Sequence, residues 1–231
     1  MQIQRIILIG GCCLAFGAAF ANTGFLLRTG ISVSHLTGDI SKLSIDAVLV
    51  SPGILLDLFR VTTATLSFFL GAFVAGMLIH HPTMDFARPY GRTVTGIGVL
   101  LVLAHFLIPR YPVCAIALSA FGCGLQNSLA SRYHGVILRT THLTGLITDF
   151  GNTLGMKLRG HEIASWKIAV PGLLTSAFVV GCVVSALLYL RTHWDPVFVA
   201  GCGYIVAGLL WTVTKHWILP RFSFWNEPGE A

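Results

Sequence analysis

Two short polar segments carry the same four-residue motif at a separation of 107 residues. The first reads Ser34-His35-Leu36-Thr37-Gly38-Asp39, and the second reads Thr141-His142-Leu143-Thr144-Gly145, followed closely by Asp149. Histidine titrates near neutral pH, and burial can bring a carboxylate toward the same range, so these side chains can pass protons. They can also hold a metal ion, but their spacing is unspecific. We predict proton chemistry here, with no metal and no cofactor.

Each motif also predicts the start of a short helix. Thr37 and Thr144 are preferred N-cap residues, and a helix N-terminus presents free N–H groups and the positive end of a dipole. If both segments re-enter the membrane, these ends face each other near its middle, as in transporters built from broken helices. Gly38 and Gly145 are then expected to pack closely against other parts of the chain. Two surface turns are the alternative.

A second polar set precedes each motif inside an apolar run. Asn22 and Thr23 come before the first motif, and Gln126, Asn127 and Ser128 come before the second. An amide inside a membrane span needs a hydrogen-bonding partner, so these residues either join helices or line a site. Their equivalent placement favours a site. The complete candidate substrate-binding set is Asn22, Thr23, His35, Thr37, Gly38, Asp39, Gln126, Asn127, Ser128, Thr141, His142, Thr144, Gly145 and Asp149.

Asp39 is the most specific candidate, because Leu146 occupies the corresponding position in the second segment. The helix dipole lowers the pKa of an acid near an N-terminus, whereas burial raises it. If burial prevails, Asp39 can bind and release a proton with His35 as a relay. If the dipole prevails, Asp39 stays charged and attracts a cationic group or holds the loop. A capping carboxylate at the membrane surface is the alternative to both.

The composition is that of a membrane protein. Apolar residues make up 55% of the 231 residues, the mean hydropathy is +0.78, and only 10% of residues are charged, against about 25% in soluble domains. The formal charge of +6 includes no basic run, which excludes a nucleic-acid partner. The six cysteines lie inside apolar runs and are interpreted as small hydrophobic residues. The chain lacks nucleotide-binding and catalytic motifs, so we predict that it is not an enzyme.

Six apolar runs approach the roughly 20 residues that a spanning helix needs. Ser44–Phe59 is interpreted as an interfacial connector and not as a seventh span, because its counterpart, about 151–164, carries several charges. The predicted spans are Ile6–Leu27, Thr62–Ile79, Thr93–Pro109, Pro112–Ser131, Ile168–Leu190 and Pro196–Leu219.

An internal repeat organises these spans. Phe16-Gly17, Ala72-Phe73-Val74 and Gly96-x-Gly98 recur 105 residues later as Phe121-Gly122, Ala177-Phe178-Val179 and Gly201-x-Gly203. Each half holds three spans, and because three is odd, the second half enters the membrane from the opposite side. The predicted fold is therefore an all-α membrane protein of two inverted three-helix repeats, with re-entrant or broken-helix segments after the first and fourth spans. It forms one membrane domain over 1–231, with repeats at about 5–109 and 112–219 and a cytoplasmic tail at 220–231.

Basic residues predict the orientation of the chain. With six spans, ten Lys and Arg residues fall on the side of the termini and five on the other. The positive-inside rule then places both termini in the cytoplasm of a bacterial inner membrane, with the chain crossing it several times.

The paired Thr-Gly motifs and the Gly-x-Gln-Asn sequence at Gly124–Asn127 resemble the YoaK family of bacterial integral membrane proteins. The resemblance covers roughly residues 5–219. It implies a six-span membrane protein from a domain family of unknown function, and it supplies no activity.

The repeat and the polar segments together favour a small secondary transporter or channel-like permease for a polar solute, with proton coupling as one form of it. Its expected partners are the lipid bilayer, a small polar solute or ion and, as an option, a second copy in a homodimer. A membrane scaffold or sensor that acts through protein partners is the main alternative. An intramembrane enzyme using His35 and His142 is a weaker one.

Overall fold

The computed structural model describes residues 2–50, 52–78, 90–129, 132–133, 136–137 and 140–218, and these residues are almost entirely helical. Two antiparallel two-residue strands, β1 (Arg132–Tyr133) and β2 (Val136–Ile137), lie between the halves. The predicted tail at 220–231 lies outside the described residues. The helices are α1 (Gln2–Thr29), α2 (Leu36–Val48), α3 (Ile54–Leu78), α4 (Tyr90–Leu107), α5 (Pro112–Ser128), α6 (Leu143–Leu158), α7 (Ser165–Thr192) and α8 (Pro196–Val213), followed by a π-helical turn at Thr214–Ile218.

Helices that can cross a membrane dominate the described chain, as expected for a multi-pass membrane protein. Five are long and apolar enough by length and composition, and α5, which coincides with most of the predicted fourth span, is shorter at 17 residues. Pro112 begins α5 directly after the short turn that follows α4, as its sequence predicts. The five segments are Leu8–Thr29, Ile54–Leu78, Tyr90–Leu107, Ser165–Thr192 and Pro196–His216.

The segment Ser44–Phe59 is divided between two helices and is not one connector. Its first part completes α2, a turn follows, and α3 already begins at Ile54, well before the predicted Thr62. Gly53 in this turn has a φ of 85°, a left-handed conformation that glycine adopts without strain. The charges of Asp57 and Arg60 fit inside α3 because they lie 3.6 Å apart, one helical turn from each other.

The helices pack in pairs through close backbone contacts. α1 packs against α7, α3 against α5, and α4 against α8; further contacts join α4 to α5, α1 to α8, α2 to α3 and α6 to α7. Gly71 of α3 faces the carbonyl of Phe121, and Gly181 of α7 faces the carbonyl of Phe16. Small residues allow such approach where no hydrophobic force drives helices together within a membrane.

Buried positions recur between the halves, but not at the single spacing of 105 residues that the sequence predicts. Each residue buried in α3 has a buried counterpart in α7 110 residues later, and three residues buried in α4 have counterparts in α8 103 residues later. The glycines aligned at 105 therefore do not make matching contacts. Gly98 and Gly201 face one another, whereas Gly96 and Gly203 border open space. The buried pairs are Val61 and Pro171, Ala64 and Leu174, Gly71 and Gly181, Ala75 and Ser185, Ile97 and Ala200, Gly98 and Gly201, and Leu101 and Tyr204.

Candidate functional site

Asn22, a buried amide on α1, holds the loop that joins α1 to α2. Its Oδ1 accepts hydrogen bonds from Ser32 Oγ at 2.9 Å, the Val33 amide at 3.0 Å and the Ser34 amide at 3.1 Å. Ser32 Oγ in turn accepts from the His35 amide at 2.9 Å. Asn22 lies seven residues before the end of α1, about 10 Å along the helix. The loop therefore turns back along α1 instead of lying over its end.

The returning loop delivers His35 to the middle of α7. The imidazole ring lies edge-on to the ring of Phe178, with 5.4 Å between centroids, and Phe178 is a buried residue halfway along that helix. Burial lowers the pKa of His35; nearby Asp39 raises it, and the charge of His142 lowers it further. The net effect is a pKa of His35 below its ordinary value of 6.5.

Both motif helices begin earlier than the threonines suggest. His35 is the N-cap of α2 and His142 is the N-cap of α6, so the prediction that Thr37 and Thr144 are the caps is wrong. Neither histidine makes a side-chain capping hydrogen bond. His35 and His142 have non-helical backbone angles, and the chain becomes helical at the leucine that follows each of them. In the first half, the bonds of the preceding loop to Asn22 and Ser32 hold the backbone in this conformation.

The second half builds a different network around Gln126, which is buried in α5. Its Nε2 donates to the Leu14 carbonyl at 2.8 Å and to Thr140 Oγ1 at 3.3 Å, and its Oε1 accepts from the Tyr204 hydroxyl at 2.5 Å. Neighbouring Asn127 accepts from Thr141 Oγ1 at 2.5 Å. These bonds tie α1, α5, α8 and the segment before α6 together.

Asp39 contributes to the loop, as one of its predicted roles requires. Its Oδ2 accepts from the Ser32 amide at 2.9 Å. Burial raises the pKa of Asp39, while the Ser32 amide, Lys42 and His35 lower it. It borders a polar pocket of about 200 Å³ that also contains Lys42 and Arg60. Burial therefore raises the pKa of this carboxylate, and its hydrogen bond to Ser32 lowers it.

Several candidates lie apart from this network. Thr37, Gly38, His142, Thr144 and Asp149 are exposed, whereas Thr23 and Ser128 are half-buried. The expectation of close packing at Gly38 is wrong, because a methyl group there would meet nothing within 4 Å; at Gly145 it would meet the His142 ring, with Nδ1 at 2.8 Å. The α2 helix has no buried residue, although its half-buried Leu36 and Leu43 pack against the core.

Two polar side chains that join helices, Tyr204 and Asp195, lie outside the predicted motifs. Tyr204 completes the Gln126 network from α8, yet it is an isolated polar residue in an apolar stretch, without a pattern to mark it. Asp195 is different, because the pair Asp195-Pro196 is a recognisable helix start. Its Oδ1 accepts from the Val197 amide at 2.8 Å and caps α8.

Asp195 also joins the ends of three helices. Its Oδ2 pairs with Arg28 at the end of α1 and lies 2.8 Å from Nδ1 of His105 near the end of α4. The His105 ring packs against Phe198, with 5.2 Å between centroids. His105 is therefore part of this polar cluster at the helix ends.

Comparison with known families assigns the chain. The family described as Protein of unknown function (DUF1275) matches residues 10–210, and the chain belongs to that family. No curated protein and no solved structure matches the chain significantly.

Proposed function

We propose that this DUF1275 chain, which we also group with the YoaK-type proteins that it resembles, is a small secondary transporter or channel-like permease for a polar solute. The observation that carries the proposal is the loop at 30–35, which bends back along α1 and brings His35 against the middle of α7. Irregular backbone at membrane depth is tolerated where it is buried in protein or lines a cavity. In transporters, such breaks mark the substrate site.

The packing of the helices supports six spans in two inverted repeats. If the two halves are equivalent, α1 to α4 correspond to α5 to α8, and each contact should have a matching contact with the halves exchanged. The contacts α1–α7, α1–α8 and α2–α3 have such counterparts in α5–α3, α5–α4 and α6–α7. At 17 residues, α5 is about 26 Å long, at the lower limit for a span. We therefore propose α5 as the sixth span.

The relative directions of the helices agree with this arrangement. Gly181 lies beside Phe16, and Ser185 Oγ donates to the Phe20 carbonyl at 2.8 Å, so α1 and α7 run parallel. Gly98 meets Gly201 while Gly91 meets Gly208, so α4 and α8 are antiparallel. The charge distribution then favours an inner-membrane protein with both termini in the cytoplasm.

The proposed site includes the N-termini of α2 and α6, where His35 and His142 are the N-cap residues. Two helix ends without side-chain caps offer backbone N–H groups and positive dipole ends, which favour a polar or anionic group. His35 and His142 add an imidazole side chain at each of these helix ends. Asp39, held near His35, is the proposed coupling acid if transport is driven by protons.

Reconstitution tests the proposal directly. Purified protein in liposomes should take up at least one isotope-labelled solute from a panel of small carboxylates, amino acids and sugars under an imposed pH gradient. The controls are liposomes without protein and liposomes that contain the Asn22→Leu variant. This substitution removes the hydrogen-bond acceptor that holds the loop. Lack of uptake across the panel by a folded, correctly inserted protein would oppose transport.

A membrane scaffold or sensor remains the second candidate, and one observation favours it. The polar groups of Asn22, Gln126 and Asn127 already accept or donate hydrogen bonds inside the protein, as purely structural residues would. In that case uptake is absent, and cross-linking in intact membranes captures a defined partner protein or a homodimer instead.

A further inference from the structure

An apolar cleft of about 430 Å³ opens between α1, α4 and α8. Leu14, Phe16 and Phe20 line it from α1, and Val199 lines it from α8. The volume lies within the range of about 300–1,000 Å³ that ligand-binding pockets occupy. Tyr204 forms part of the wall, but its hydroxyl already donates to Gln126. The cleft therefore offers little to water or to a polar ligand.

The corresponding place in the other half of the chain is filled. There, Gly122 of α5 faces Ile97 and Leu100 of α4, whose side-chain carbons would lie 3.6 and 3.8 Å from an added methyl group. The residues 103 positions later on α8 are Ala200 and Gly203, and both line the cleft. At Gly17, which stands 105 residues before Gly122, an added methyl group would instead meet the Tyr204 side chain at 2.9–3.0 Å. The tyrosine therefore covers this glycine, and the small residues Ala200 and Gly203 leave the cleft beside it, where α4 carries two larger aliphatic side chains.

The mouth of the cleft lies on membrane-spanning helices. Cys13, Gly203 and Ala207 line it and are exposed, and each lies within a helix segment able to cross a membrane. The medium outside this opening is therefore lipid hydrocarbon. A hydrocarbon chain lying in an apolar cleft gains dispersion contacts with the side chains that line it.

We propose that this cleft binds one acyl chain of a membrane phospholipid. The aliphatic side chains in the matching interface indicate the chemistry that fits, and the open side faces the source of such chains. A bound chain replaces the missing Ile and Leu contacts and supports α1 against α8. This inference does not depend on transport, because a scaffold with the same cleft would bind the chain equally.

Filling the cleft with the protein's own residues tests the proposal. The double variant Ala200→Ile, Gly203→Leu copies the aliphatic pair of α4, and Gly203 has nothing within 4 Å of an added methyl group. Gly96→Leu is the matched control, because Gly96 also borders open space but lies outside the cleft. The probe is dioleoylphosphatidylglycerol, added to delipidated protein in detergent.

Two measurements give the answer. Native mass spectrometry should show that wild type and Gly96→Leu retain one phospholipid more than the double variant. The lipid-dependent rise in Tm should be present in the first two proteins and largely lost in the double variant, since only a ligand of the folded state raises Tm. If the double variant does not fold, Gly203→Val alone should reduce retention.

Equal phospholipid retention by wild type and a folded, filled variant would overturn the proposal. A second result would also overturn it: filling the cleft leaves the number of bound phospholipids unchanged but abolishes a cross-linked dimer. The cleft would then hold a second copy of the chain. Retention of a co-purified apolar solute, with no phospholipid displaced by filling, would also contradict it.

Discussion

The side-chain oxygen of Asn22 lies 3.0 Å from the amide nitrogen of Val33, eleven residues further along the chain. The same oxygen accepts from the next amide, Ser34, at 3.1 Å, so one side chain on α1 satisfies two backbone donors of the loop. Buried N–H groups need partners, and the loop has no helical or sheet ladder to supply them. Asn22 is therefore what allows an irregular segment to lie inside the bundle.

Replacing Asn22 should be more costly than replacing its counterpart. Asn22→Leu leaves the Val33 and Ser34 amides unpaired, at about 1–3 kcal/mol for each buried group, whereas Asn127→Leu frees only the hydroxyl of Thr141. We expect a clearly larger drop in Tm for Asn22→Leu in thermal unfolding of the detergent-solubilised protein. Asn22→Asp, which keeps the acceptor, should lose less. Equal losses for Asn22→Leu and Asn127→Leu would contradict the assigned role of the loop.

The Tyr204–Gln126 contact predicts a coupled pair. Tyr204→Phe removes the donor to Gln126 Oε1 and leaves a buried acceptor unpaired, which costs about 1–3 kcal/mol. Gln126→Leu should cost more, because Gln126 also donates to the Leu14 carbonyl. The double variant Tyr204→Phe, Gln126→Leu should lose less stability than the sum of the two single losses, because neither member of the hydrogen bond then remains buried without its partner. Additive changes in the free energy of unfolding would show that the two side chains act independently.

Asp195 combines a helix cap with an ion pair, and two substitutions separate these roles. Asp195→Asn can still cap α8 through the Val197 amide but loses its charge, whereas Asp195→Ala loses both. The cap contributes about 1 kcal/mol. Stability should fall in the order wild type, Asp195→Asn, Asp195→Ala.

Adding Arg28→Gln to Asp195→Asn should restore part of the loss, because the partner charge is then removed as well. Chemical denaturation in mixed micelles provides the measurement, and Arg191→Gln, which removes an exposed arginine at the end of α7, is the control. If Asp195→Asn and Asp195→Ala are equally stable, the amide introduced by the first substitution does not cap α8, and the two roles are not separable in this way.

Glycine substitutions test the close packing of α3 against α5. A methyl group on Gly124 would collide with the Phe68 carbonyl on α3, whereas one on Gly96 or Gly38 would meet nothing within 4 Å. Gly124→Ala should therefore lower expression and Tm strongly, and Gly96→Ala and Gly38→Ala should be close to neutral. Gly160 is no neutral reference, because its φ of 93° strains any L side chain. Tolerance of Gly124→Ala would contradict the close contact of α3 and α5.

The sequence predicts the helical class, most helix positions and the two motif segments because hydropathy and short motifs are local properties. The helix starts at His35 and His142, against predicted caps at Thr37 and Thr144, show the limit of that reasoning. Where a helix starts depends on the backbone that precedes it, and in the first half Asn22 fixes that backbone from another helix. The hydrogen bond of Tyr204 to Gln126 and the ion pair of Asp195 with Arg28 likewise join distant segments, which no local pattern records.

The last prediction concerns pH. The two ionisable residues of the first motif, His35 and Asp39, are expected to change the stability of the protein in opposite directions as the pH rises. Burial raises the pKa of Asp39 above its ordinary value of 3.8, so the folded state holds this proton after the unfolded state has released it. Stability should therefore fall as pH rises through this window. Burial lowers the pKa of His35 below 6.5, so the unfolded state takes up a proton that the folded state refuses. Stability should fall as pH drops below that value.

Two variants separate these contributions. Asp39→Asn keeps an acceptor for the Ser32 amide and cannot ionise, so the decline with rising pH should disappear in a Tm series from about pH 4 to about pH 8. His35→Asn should remove the decline toward acid, and Asp46→Asn, a second carboxylate of α2, is the control. In liposomes, Asp39→Asn should also abolish the dependence of flux on the pH gradient while leaving the protein folded. Flux that keeps its pH dependence in that variant would exclude Asp39 as the coupling acid, whatever the Tm series shows.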